Sequence, residues 1–203
     1  MTKKLKQRLW MIGLMAIMGV ISASLLAGIY QYAQPIVERN RRIKLYSAVL
    51  TVLRVDYSMP DMEVVFQDRI KIIEQEGLTL YEGYSDKGRL LGYALPLKGG
   101  GFWGPIATVL GLEPDWETLK GIEIIENVET PGLGARITEP AFKASFRGLK
   151  ATPNIGYVVH KEPERPNEFQ AITGATETSK SITRIFNKGI RQYRQVFEIS
   201  IAQ

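Results

Sequence analysis

The sequence predicts a single membrane-spanning helix followed by an α+β domain, with a mostly antiparallel sheet packed by helices. Three observations predict it. A charge-free apolar run opens the chain, short apolar strands separated by glycine-bearing turns fill its middle, and an amphipathic helix closes it.

Residues 1–9 carry Lys3, Lys4, Lys6 and Arg8 and precede the apolar run. The run from Trp10 to Tyr30 contains no charge, and at 1.5 Å per residue a helix of that length spans about 31 Å, the thickness of a hydrocarbon core. Residues 10–32 are therefore read as a transmembrane anchor. A cleavable secretory leader is the competing reading, because the start is basic and Ala27 and Ala33 are small. The apolar run exceeds the usual leader length and no A-x-A site follows, which favours an uncleaved anchor. Arg39, Arg41, Arg42 and Lys44 after the span match the bases before it, so charge does not set the orientation.

Residues 33–75 read as a helical stalk or linker, with Ile36, Ile43, Leu45, Val49 and Leu50 apolar among cations. Arg39, Arg41 and Arg42 suit lipid phosphate and equally suit a solvated helix face. Residues 76–203 form the domain proper. Leu78–Tyr84 and Leu90–Pro96 flank Ser85-Asp86-Lys87-Gly88-Arg89, whose Asp and Gly suit a hairpin turn. A glycine-rich loop follows, then a strand from Leu119 to Asn127, a Pro-Gly loop, a helix near Glu139 to Phe146 and a strand from Ile155 to Lys161. The closing helix runs from about Glu177 to Ile199, where Ile182, Ile185, Phe186, Ile190, Tyr193 and Phe197 fall at helical spacing and face the sheet.

Composition excludes several functions. With no cysteine there is no disulfide, thiolate metal site or cysteine-ligated iron–sulfur cluster. The single histidine, His160, supplies neither a multi-histidine metal site nor a Ser-His-Asp triad, and it reads as a strand-end surface residue. The formal charge of +5 arises largely before the span: of 26 basic residues, four precede Trp10, leaving 22 against 21 acids. Nucleic-acid binding is a poor fit. No dinucleotide G-x-G-x-x-G and no G-x-x-x-x-G-K-[ST] occurs, so no catalytic residue and no metal ligand is assigned.

Three glycine-bearing motifs remain. Thr173-Gly174-Ala175-Thr176-Glu177-Thr178-Ser179 feeds hydroxyl side chains into a helix start, where free amides and the helix dipole suit a phosphate. An ordinary capped helix with Thr176 as N-cap is the plain alternative. In Glu129-Thr130-Pro131-Gly132-Leu133-Gly134, Pro131 fixes φ while Gly132 and Gly134 permit strained backbone, so the loop can lie flat on a planar ligand. Lys98-Gly99-Gly100-Gly101-Phe102-Trp103-Gly104-Pro105-Ile106 holds three successive glycines, each costing roughly 0.5–1 kcal/mol to order relative to Ala. A close backbone approach explains that cost; a flexible loop is the alternative.

These motifs resemble those of the FMN-binding subunits of two respiratory complexes: the G subunit of the Rnf ion-translocating complex and the C subunit of the sodium-pumping NADH:quinone reductase (Nqr). Thr173–Thr178 looks like the family's flavin-attachment sequence [ST]-G-A-[ST]-x-[ST], and Glu129–Gly134 looks like its E-T-P-G-L-G loop. The resemblance implies covalent FMN on Thr178 through a phosphoester, installed from FAD by a flavin transferase. It further implies that Thr173, Gly174, Ala175 and Thr176 contact phosphate or ribityl oxygens, and that Glu129, Thr130, Pro131, Gly132, Leu133, Gly134 and Trp103 frame the ring. Lys180 and Arg184 suit either phosphate neutralisation or solvent. The chain departs from the family pattern at Gln170, where Asp is usual, and at Asn127, where His is usual.

The implied role is a membrane-anchored electron-transfer subunit of an ion-translocating oxidoreductase, an electron carrier without a substrate site of its own. Its partners would be the other integral and peripheral subunits, the transferase and membrane lipid. The family's topology implies that residues 1–9 are cytoplasmic and that the flavin domain lies on the extracytoplasmic, periplasmic side of the inner membrane. Chain length favours the Rnf form. The C subunit of Nqr, a membrane-anchored flavin-binding sensor or assembly module, and an anchored enzyme with noncovalent FMN are the alternatives.

Overall fold

The computed structural model describes residues 3–197, so the predicted end of the last helix at Ile199 lies outside the described residues. The chain divides into two compact units, one up to Ile43 and one from Lys44. Helix α1 covers Lys3–Leu53. Within the first unit its apolar side chains, Trp10, Ile17 and Leu25 among them, are exposed, and the helix is long and apolar enough to cross a membrane.

In the second unit the last turns of α1 are buried through Val49, Leu50, Val52 and Leu53. Helix α2 (Met62–Arg69) and strand β1 (Ile70–Gln75) follow. The sheet therefore begins inside the segment read from sequence as stalk, and the compact unit begins upstream of residue 76. Strands β2 (Leu78–Tyr84), β3 (Leu90–Gly100), β4 (Pro105–Leu112) and β5 (Leu119–Glu126) complete a five-stranded antiparallel meander in the order β1-β2-β3-β4-β5.

Each sheet face buries a helix. On one, Tyr46 stacks on Phe66 with ring centroids 3.8 Å apart, and Phe66 meets Tyr81 edge-on at 5.8 Å. Gly83 and Gly111 let α1 lie close there: a Cβ on them would come within 2.8 Å of Leu53 Cδ1 and 2.9 Å of Val52 Cβ. On the other face Leu95, Leu97, Leu110 and Leu112 pack with Ile182, Ile185, Phe186 and Ile190 of helix α4 (Thr176–Val196) in one core. Tyr193 lies in that core and donates from its hydroxyl to the carbonyls of Thr79 (2.9 Å) and Pro96 (3.2 Å); burial pushes its phenol up.

Between β5 and α4 the elements are shorter than expected. A 3₁₀ turn at Gly134–Thr138 leads into helix α3 (Pro140–Ala144), and β6 spans only Gly156–Val158, paired in parallel with β7 (Glu168–Gln170). Asn187 holds this pair on α4 by accepting from the Ile155 amide (2.8 Å) and donating to its carbonyl (2.9 Å).

Candidate functional site

All three glycine-bearing motifs arrive at the same end of the sheet. The β3–β4 hairpin closes in a two-residue turn, with the Gly101 amide donating to the Gly104 carbonyl at 2.7 Å and Phe102 and Trp103 at its tip. Both aromatic rings are exposed, at 58% and 68%. The tip's amides point inward, Phe102 N–H at 2.8 Å and Trp103 N–H at 3.1 Å from one oxygen, Oε1 of Glu129. A Cβ at Gly101 would strike that same oxygen, one at Gly104 would strike Val128 and one at Gly99 would strike Ile185, whereas Gly100 has open space; of the three successive glycines only Gly101 serves the approach to the carboxylate.

Glu129 opens the second motif. Its amide donates to Asn127 Oδ1 at 3.2 Å, so Asn127 orients the loop. The next turn closes from Thr130 carbonyl to Leu133 amide at 3.1 Å with Gly132 at φ +74°, as a Pro-Gly turn requires. Gly134 then passes beneath the acid: a Cβ there would lie 2.6 Å from both Glu129 Oε2 and Thr178 Oγ1.

The third motif begins with another tight turn, Ile172 carbonyl to Ala175 amide at 2.9 Å, with Gly174 at φ +80°. Ser179 steadies it by accepting from the Ile172 amide at 3.1 Å. The N-cap of α4 is Ala175, not Thr176, and no side chain caps the helix. The plain alternative of a hydroxyl-capped helix is therefore corrected: the first-turn amides of Thr176, Glu177 and Thr178 are left for another partner. Thr178 is buried (2% exposed) and its Oγ1 donates to Glu129 Oε2 at 2.8 Å. One carboxylate thus joins all three motifs.

Above this hydrogen bond lies a cleft of about 490 Å³, within the range of small-molecule and cofactor sites. Trp103, Glu129, Thr130, Leu133, Gly134, Gly174, Ala175, Thr176 and Thr178 line it, joined by Phe102, Glu177 and His160. Thr173, Pro131 and Gly132 shape the turns without lining the cleft. Glu129 is only 5% exposed, so its carboxylate serves as a hub beneath the cleft rather than as a ring frame. His160, read from sequence as a plain surface residue, stands on the cleft wall just beyond β6 with φ +55°. Lys180 and Arg184 do not line it: Lys180 pairs with Glu177 at 3.6 Å, and Arg184 donates to the Gly100 carbonyl at 3.1 Å. Gln170 is exposed at the end of β7.

Residues 101–191, which include every residue that lines the cleft, match the FMN-binding domain family. The chain is 36% identical over 121 residues to the C subunit of the Na(+)-translocating NADH-quinone reductase of Chlamydia muridarum, covering 49% of this chain and 38% of that protein. It is 25% identical over 172 residues to the G subunit of the proton-translocating ferredoxin:NAD(+) oxidoreductase complex of Clostridium ljungdahlii, covering 85% of this chain and 84% of that protein. The chain thus spans less than half the length of the quinone-reductase relative and most of the ferredoxin-oxidoreductase relative. Crystallographic NqrC of Shewanella oneidensis superposes with a TM-score of 0.70 at 18% identity, covering 80% of this chain and 100% of that one; the two share the fold.

The residues of this cleft fit FMN. An uncapped helix start suits a phosphate, a half-apolar wall with Phe102, Trp103 and Leu133 suits a flat ring, and the volume is adequate. Among the described residues, no Lys or Arg lines the cleft, so amides and hydroxyls would meet the phosphate.

Proposed function

We propose that this chain is a membrane-anchored electron-transfer subunit with FMN esterified to Thr178, working inside an Rnf-type ion-translocating oxidoreductase. The observation that carries the reading is the Thr178 hydroxyl at the floor of a cleft formed by all three motifs, at a helix start that no side chain caps. FMN, when bound, supplies the redox chemistry. The chain's own residues anchor the phosphate at Thr178 and at the amides of Thr176 and Glu177. Thr173 and Gly174 shape the turn beneath the ribityl chain, and Leu133, Phe102 and Trp103 hold the ring at the cleft mouth. The isolated chain is a carrier that takes electrons from one partner in the complex and gives them to another.

The α1 helix anchors the carrier in the inner membrane, with the flavin domain on the extracytoplasmic side and a flavin transferase acting during maturation. Coverage supports the Rnf assignment, since the chain spans 84% and 89% of two relatives named as G subunits of ion-translocating complexes. A second reading, the C subunit of an Nqr complex, draws on the higher identity of the 36% relative.

Intact mass of the full chain, matured with a flavin transferase, tests the attachment. An FMN-sized increment that maps to Thr178 supports it, and an unmodified chain refutes it. Co-purification with the remaining members of one complex separates Rnf from Nqr, and protease accessibility in sealed membrane vesicles tests the side.

A further inference from the structure

The Glu129–Thr178 hydrogen bond has the geometry of a base on a nucleophile. Glu129 Oε1 is fixed by two backbone amides, which leaves Oε2 aimed at the one hydroxyl proton that esterification must remove, 2.8 Å away. Both side chains are buried, so water does not compete for that proton. The other titratable side chains on the cleft wall are Glu177, paired with Lys180, and His160; the Thr178 hydroxyl donates to neither. Carboxylates within hydrogen-bond reach of an acceptor hydroxyl take its proton in phosphoryl transfer.

We infer that Glu129 is a catalytic residue for the chain's own maturation, accepting the Thr178 proton as the flavin phosphate arrives. This rests on the reading of Thr178 as the flavin-bearing residue. Thr178 Oγ1 forms a bond to the flavin-side phosphorus of a flavin adenine dinucleotide. The bond from that phosphorus to the bridging oxygen breaks, its electron pair leaves with adenosine monophosphate, and the proton moves from Oγ1 to Oε2. Charge balances at −3 on both sides for donor and carboxylate, then ester, nucleotide and neutral acid. Thr178 would thus be primed by its own fold rather than offered as a linear peptide.

The test compares covalent loading of full-length wild type, Glu129→Gln and Glu129→Asp by one flavin transferase with flavin adenine dinucleotide, read by intact mass over time. Glu129→Gln keeps the shape and an acceptor for the two amides, and its loading rate is expected to fall roughly 100-fold or more. Glu129→Asp keeps the charge one methylene short and should load at an intermediate rate. Wild-type loading by folded Glu129→Gln overturns the inference. Where that variant does not fold, folded Glu129→Asp decides: loading slower than wild type at saturating flavin adenine dinucleotide supports proton capture at this position, and loading at the wild-type rate overturns it. Peptide mapping keeps the two readings apart: flavin on Thr178 in both wild type and an equally fast Glu129→Gln sinks only the role of Glu129, whereas wild type without flavin on Thr178 sinks both.

Discussion

Two depressions flank α4, and they differ in charge. The motif cleft has Glu129 and Glu177 on its walls, with His160 and no Lys or Arg. A groove of about 290 Å³ between β3 and α4 is lined by Lys98, Arg184 and Lys188. By electrostatics alone a phosphate would choose the groove. The motif cleft has instead the uncapped helix start, the reactive hydroxyl and the apolar wall. If FMN is esterified to Thr178 as proposed, its retention there would depend on that bond and on directed amides rather than on counter-charge.

The comparison breaks most sharply at Thr178. Thr178→Ala is expected to abolish the FMN mass increment completely, and in-gel fluorescence under denaturing conditions reads it directly. Next comes Gly134→Ala, whose new methyl would crowd both Glu129 and Thr178. Covalent loading should be largely lost and stability should drop by about 1–3 kcal/mol, measured by urea unfolding. Tyr193→Phe works at the far end of α4, leaving the Thr79 and Pro96 carbonyls without their donor. It should cost about 0.5–1.5 kcal/mol while loading stays normal. Smallest of all, Lys98→Ala with Lys188→Ala removes two of the three cations that line the groove, leaving Arg184. Loading unchanged within error supports the contrast, and a clear loss would mean the groove, not the cleft, recruits the flavin.

Much of this arrangement was legible in the chain itself. The hairpin around Gly88, strand β5 and the amphipathic face of α4 follow from period and turn chemistry. The three motifs pointed to a shared site through their resemblance to the FMN-binding subunits; by residue type alone each could equally be a plain turn, a flexible loop or a capped helix start. Strand β4 was not foreseen because its burial is nearly continuous from Thr108 to Leu112, without the alternation that marks a half-buried strand, and its neighbouring glycines read as loop. Helix α2 and β1 are short, and their charges resemble a solvated linker; tertiary contacts such as Tyr46–Phe66 are what bind them to the domain. Within the site, the hub role of Glu129 was hidden because it depends on amides 26 and 27 positions upstream and a hydroxyl 49 downstream. His160 was missed for a similar reason, since only the short β6 brings it to the wall. A lone acid inside a Pro-Gly motif was the one available signal for the hub.

Trp103 gives the protein an optical consequence. Of three tryptophans, Trp116 is buried and Trp10 belongs to α1, whereas the Trp103 indole stands at the mouth of the cleft. A yellow chromophore seated there absorbs where indole emits, so maturation should dim the chain's ultraviolet-excited glow in step with the mass gain. Comparing Trp103→Phe with the unaltered chain would show how much of that dimming originates at the hairpin tip, turning the hairpin into a built-in clock for cofactor arrival.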